Sequence, residues 1–156
     1  MKVDLILIGK TSDKLFASGI SDYASRISHY LPFNITTIAE LKNTRSLSEE
    51  QQKQAEGELI LKQLQGADIV VLLDERGCEM RSTEFAQWLE RRQSTARRLV
   101  FVIGGPYGFS QQVYDRANEM LALSRMTFSH QMVRLVFTEQ LYRACTIIRG
   151  EPYHHE

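Results

Sequence analysis

The sequence has no long hydrophobic run. No apolar stretch approaches the roughly 20 residues that a membrane-spanning helix requires, so a membrane protein of that type is not expected. It also has no excess of either charge. With 19 basic and 19 acidic residues the formal net charge is zero, which lacks the basic surplus of a general nucleic-acid binder but leaves room for a local patch. Cysteine is scarce: Cys78 and Cys145 stand far apart, with no CxxC and no His/Cys cluster. That removes a disulfide framework and a zinc motif, and fits two reduced thiols in a cytosolic protein. The amino end has one lysine and a short run, residues 3–8, interrupted by Asp4. This is too little for a signal peptide, and a cytoplasmic location is expected.

What is present fits a single domain over residues 1–156, long enough to bury a full core. Apolar content of 43% and charged content of 24% are ordinary for a globular chain. Residues 3–9, "VDLILIG", read as a buried strand, and a polar helix follows over 12–30, ending before Pro32. Residues 33–41 are rich in β-branched side chains and predict a second strand. Capping-box starts at Ser46/Glu49 and Ser48/Gln51 open a helix that ends near Gly66. "DIVVLLDE", 68–75, is apolar on both faces, as central parallel strands are. An amphipathic helix over 82–92 carries Phe85, Trp88 and Leu89. "RLVFVIGG" is the fourth strand, Ser110 caps a short helix, "MLALS" at 120–124 is a short fifth strand, and the longest helix covers 129–149. Strand and helix alternate throughout, which predicts an α/β sandwich on a mostly parallel sheet.

Two stretches imitate phosphate loops and fail. "IGKT" at 8–11 has Asp4 where a Walker A loop requires its first glycine. In "GGPYG", Pro106 takes the second glycine position of the dinucleotide fingerprint. Ligands of α/β folds nevertheless sit at the carboxyl ends of strands, where the chain after Leu73 and after Gly104 lies. On pattern alone, a tight turn and a ligand loop weigh equally for the glycines. In the last helix, Val133, Phe137, Leu141, Ala144 and Ile148 form an apolar stripe. A second row runs from Met132, Leu135 and Val136 into Glu139 and Arg143, an acid-first pair four apart. That pair is either a surface ion pair worth a few tenths of a kcal/mol or part of a subunit seam. Arg134 and Arg149 are expected to point away from it, toward phosphate. The tail "RGEPYHHE" holds Tyr153, His154 and His155, a group rich in proton donors and rings for a terminus. No carboxylate or cysteine lies at ligand spacing from the paired histidines, so no metal is expected.

Taken together, "ILIGK", "LLDERG", "FVIGGPYG", "LALSRMTFSHQMVRLVFTEQLYRA" and "RGEPYHHE" closely resemble the RlmH family, the pseudouridine N3-methyltransferases of 23S ribosomal RNA within the SPOUT class. The resemblance runs essentially end to end. It implies a trefoil knot in the carboxyl-terminal half, which no periodicity or composition predicts. It implies S-adenosylmethionine as cofactor, held by three loops at Leu73, Gly104, and Leu123, Ser124, Arg125, Met126, Thr127 and Phe128. It also implies a homodimer that builds its site between subunits and recognises 23S ribosomal RNA within an assembled ribosome. For the N3 proton, the expected acceptor or relay is His154. Tyr153 is expected to stack on or hydrogen-bond the base, and Arg143, with Glu139 beside it, to carry the electrostatic role. RNA contacts are expected at Arg91, Arg92, Arg97 and Arg98, and at Lys42 and Arg45, unless these are solvated faces. Two rival readings are a SPOUT methyltransferase acting on transfer RNA and a non-catalytic ribosome-binding or assembly factor.

Overall fold

The computed structural model describes residues 1–155. Five parallel strands form one sheet in the order β2-β1-β4-β3-β5. They are β1 (Lys2–Ile8), β2 (Phe33–Ile38), β3 (Ile69–Glu79), β4 (Arg98–Ile103) and β5 (Glu119–Ala122). Every residue of β1 after Lys2 is buried, and β4 is buried after Arg98, because both strands are covered on both faces.

One face packs against α1 (Lys14–Ile27), α3 (Ser82–Gln93) and α5 (Met132–Ile148). Its centre is aromatic: Phe101 of β4 lies 4.7 Å from the Phe137 ring, and Phe85 stacks on Trp88 at 5.7 Å. The other face packs against α2 (Glu49–Lys62) and α4 (Gln111–Arg116), through Ile60, Phe109 and Val113. Helix starts follow local chemistry. Asp13 caps α1, Ser110 caps α4, and Ser48 with Gln51 forms the capping box of α2. Of the two candidate boxes in the sequence, the second is the one used. Ser46 ends a short 3-10 turn instead.

The third strand departs from expectation. It does not stop at residue 75 but resumes after an interruption, with both Leu73 and Cys78 pairing with Leu121. The residues between them bulge out of the ladder. Gly77 permits the return, since a Cβ there would fall 2.7 Å from the backbone of β5. Charged residues and a glycine follow the apolar run and carry no strand signal of their own, which hid the resumed pairing.

All five carboxyl ends lie along one edge of the sheet. At the opposite edge, Arg98 bridges two buried acids, Asp4 Oδ2 at 2.5 Å and Asp68 Oδ2 at 2.6 Å, and also donates to the Gln63 carbonyl. No described helix is long and apolar enough to cross a membrane.

Candidate active site

At the carboxyl ends of β3, β4 and β5 lies a cavity of about 540 Å³. The glycine loop after β4 forms one wall. Gly108 adopts φ +82°, a left-handed conformation, and its N–H closes a turn on the Gly105 carbonyl at 3.2 Å. Gly105 allows a close approach: a Cβ there would fall 2.7 Å from the Glu56 carboxylate of α2, which would have to shift. At Gly104 a Cβ would meet the Phe109 ring at 3.0 Å. The glycines therefore serve a turn and close packing against the protein's own Glu56 and Phe109 side chains, and the loop also borders the cavity.

Leu73, Gly104, Leu123, Ser124, Met126, Thr127 and Phe128 all line this cavity, although they come from three separate loops. Arg125 does not line it. Its side chain is 90% exposed and pairs with Glu79 at 2.8 Å. Leu73, Ile103, Leu121 and Val133 add apolar surface, while the bulge of β3 contributes Asp74, Glu75 and Arg76. The Tyr114 hydroxyl donates to Asp74 Oδ2 at 2.5 Å, and Asp74 Oδ1 accepts from the Arg76 backbone at 2.8 Å. These polar groups, with His130, were not singled out in the sequence. For the acids and Arg76 the signal was there in "LLDERG", charges placed directly after a strand's apolar run.

Glu56 sits behind the glycine loop, 5% exposed, and its Oε1 has no partner among the described residues. Burial pushes its carboxyl up; a bond from Gln52 partly offsets this, and Glu40 adds to it.

A second cluster forms at the far end of α5. Arg143 donates to Glu139 Oε1 at 2.5 Å and meets His154 Nδ1 at 3.1 Å. The Tyr153 hydroxyl donates to the same Glu139 oxygen at 2.9 Å and lies 3.3 Å from the Tyr23 hydroxyl. The Tyr153 ring packs between Tyr142, at 4.7 Å, and the Arg143 guanidinium, at 4.8 Å. Burial raises the Tyr153 phenol above its ordinary range, and the bonds with Tyr23 and Glu139 add to this, so it remains a hydroxyl donor. The tail reaches this position through a glycine reversal. Gly150 at φ +70° places its own N–H on the Ile147 carbonyl and the Glu151 N–H on the Thr146 carbonyl. Tyr30 then holds Glu151 Oε2 at 2.5 Å.

The four tail-cluster residues thus come together, but none of them lines the cavity. Val133, which does, precedes Arg143 by ten residues, about 15 Å along the helix.

Several arginines differ from expectation. Arg134 does not face phosphate. It is 1% exposed and donates to the carbonyls of Ile8 at 2.7 Å and Gly9 at 2.9 Å, and to Thr11. Its place on the helix conceals it beneath the turn that follows β1, where a guanidinium satisfies three acceptors at once. Arg98 is committed to Asp4 and Asp68, and Arg92 pairs with Glu119 while lying 5.1 Å from the Trp88 ring. Arg91 and Arg97 remain exposed. Arg149, also exposed, stacks on the Tyr30 ring at 4.9 Å. No group of three or more potential metal ligands occurs among the described residues.

A family model described as "Predicted SPOUT methyltransferase" matches residues 1–154. The chain is also similar along its whole length to curated proteins called "Ribosomal RNA large subunit methyltransferase H". It is 58% identical to the one from Bacteroides fragilis and 57% identical to the one from Phocaeicola vulgatus, covering 100% of both chains in each case. With the one from Cytophaga hutchinsonii the identity is 55%, over 99% of this chain and 100% of the relative.

Proposed function

The chain belongs to the SPOUT methyltransferase family, and from that premise we propose that it methylates N3 of a pseudouridine in 23S ribosomal RNA. It does so with S-adenosylmethionine, as a homodimer, on the assembled ribosome. The observation that carries this reading is a glycine-lined cavity paired with a pinned, titratable tail that lies away from it, in a chain collinear with the large-subunit rRNA methyltransferases. A trefoil knot in the carboxyl-terminal half and a cytoplasmic location belong to the same reading.

The cavity suits the cofactor. At about 540 Å³ it falls in the range of small-molecule sites, and it combines apolar walls with a few convergent polar groups. When bound, S-adenosylmethionine supplies a methyl group on a positively charged sulfur. Leu73, Leu123 and Phe128 exclude water from it. Gly104, Ser124, Met126 and Thr127, which line the cavity, offer backbone polar groups to its polar edges.

The RNA side belongs to the tail. N3 of pseudouridine carries a proton and is a poor nucleophile until that proton is shared or removed. His154 accepts it. Arg143 stabilises the negative charge that develops on the imide, Glu139 fixes both Arg143 and Tyr153, and Tyr153 aligns the base. Because the cluster does not line the cavity of its own protomer, the tail of one protomer completes the cavity of its partner. Met132 and Val136, half-buried on the same helical row, extend the contact surface.

Mass spectrometry of ribosomal and transfer RNA from a strain lacking the gene tests the substrate. A missing N3-methylpseudouridine in 23S RNA supports the proposal. A missing transfer-RNA methyl group points to the first rival, and unchanged RNA points to the binding factor. Mixing Gly104→Val with a chain truncated after Gly150 tests the shared site. Each homodimer should be nearly inactive, and heterodimers should regain partial activity. Heterodimers that form and stay inactive exclude a tail acting across the dimer.

A further inference from the structure

We infer that the Asp74–Tyr114 pair makes the cavity select a cofactor carrying a positive charge over its neutral thioether product. This rests on the cofactor reading above and adds to it a residue that sets specificity.

The bulge of β3 turns three consecutive charged residues, Asp74, Glu75 and Arg76, onto the cavity wall. Their environments differ. The Asp74 side chain is only 10% exposed, whereas that of Arg76 is 66% exposed. The two form an ion pair at 3.3 Å, but the arginine does so from the solvent side, where water screens its charge more than the carboxylate's. Glu75 is exposed and accepts from the Thr127 hydroxyl at 3.2 Å, across the cavity's mouth. Among the Asp, Glu, Lys and Arg side chains that line the cavity, acids outnumber bases, and the most buried charge is negative.

Asp74 is also held in place. Tyr114 binds one oxygen; the Arg76 backbone and Nε, at 2.8 and 3.3 Å, bind the other. Burial opposes the carboxylate's charge, but the hydrogen bonds from Tyr114 and Arg76 together outweigh it and keep the carboxyl below its usual range. Tyr114 is itself fixed, edge-on to Phe109 at 5.7 Å, and Phe109 packs under Gly104. A single wall thus runs from the anionic group to the glycine loop. S-adenosylmethionine and the thioether left after transfer, S-adenosylhomocysteine, differ by one methyl group and one positive charge. A fixed interior carboxylate favours the first, so the spent molecule leaves more readily than the fresh one.

Calorimetric titration of Asp74→Asn tests this with three probes: S-adenosylmethionine, S-adenosylhomocysteine, and an analogue bearing a protonated amine in place of the sulfonium. The expected result is about a tenfold loss for both cationic probes, near 1.4 kcal/mol, with the neutral probe changed less than about twofold. Tyr114→Phe keeps the carboxylate but loosens it, and should lower the cation preference by about two- to threefold. Equal losses for all three probes would mean that Asp74 holds a part they share, such as ribose hydroxyls, and would overturn the inference. So would an unchanged preference in both variants. If the unaltered protein binds none of the probes, the cofactor reading itself fails.

Discussion

Tyr153 donates its hydroxyl to Glu139 across 2.9 Å, and the same carboxylate oxygen takes Arg143 at 2.5 Å. One acceptor thus holds both the tail's ring and the guanidinium that faces His154. Glu139→Ala should release both while leaving the cofactor cavity intact. Methyl transfer should fall at least tenfold, and cofactor affinity should stay within about twofold. Affinity falling in step with transfer would place Glu139 in the cofactor site instead.

A stability prediction concerns the opposite edge of the sheet. Arg98→Met leaves Asp4 and Asp68, with side chains 2% and 3% exposed, without the guanidinium they share, and Asp4 with only the exposed Lys2 ammonium 3.9 Å away, a change that costs about 3–5 kcal/mol. Arg97→Glu, on the exposed neighbour, should leave thermal unfolding unchanged and weaken ribosome binding at low salt. If Arg98→Met melts like the parent, the buried bridge contributes little. If Arg97→Glu binds ribosomes normally, this edge is not an RNA contact.

A third prediction depends on pH. Burial, the larger cause, and the nearby Glu40 raise the Glu56 carboxyl in the folded state. Folding is therefore opposed by its ionisation: stability is fully retained below the ordinary carboxylate range and is lost as pH rises through the raised folded value. Glu56→Gln removes that loss. The variant should melt higher than the parent at pH 8, by about 2–4 °C if the gain is near 1 kcal/mol, with the advantage gone at pH 4. A difference that does not vary with pH would mean that Glu56 acts through packing alone.

The strand ends and glycine loop could be read from the sequence because apolar runs ending in glycine have few structural uses. The bulge of β3 could not. Whether Asp74, Glu75 and Arg76 end a strand or interrupt it depends on Gly77 fitting against β5, a contact with distant residues. The arginines show a related limit. Arg98 sits among exposed arginines in sequence, and its burial is set by Asp4 on β1 and by Asp68 just before β3. Those acids were the available sign, since an aspartate inside an otherwise apolar strand requires a cation nearby. Arg134 left a fainter trace, one basic residue close to an apolar stripe. The tail cluster was legible as a set of residue types, but its geometry depends on Tyr23 and Tyr30 of the chain's first third.

Those last contacts tie the segment after α5 to the chain's first third. Tyr153 docks on Tyr23 of α1, and Glu151 on Tyr30 in the turn that follows that helix. On the proposed reading, a chain cut after Gly150 keeps the complete sheet and the cofactor cavity, yet is inert. Paired with an intact copy, such a chain is a well-folded partner that spoils one of the two sites they share.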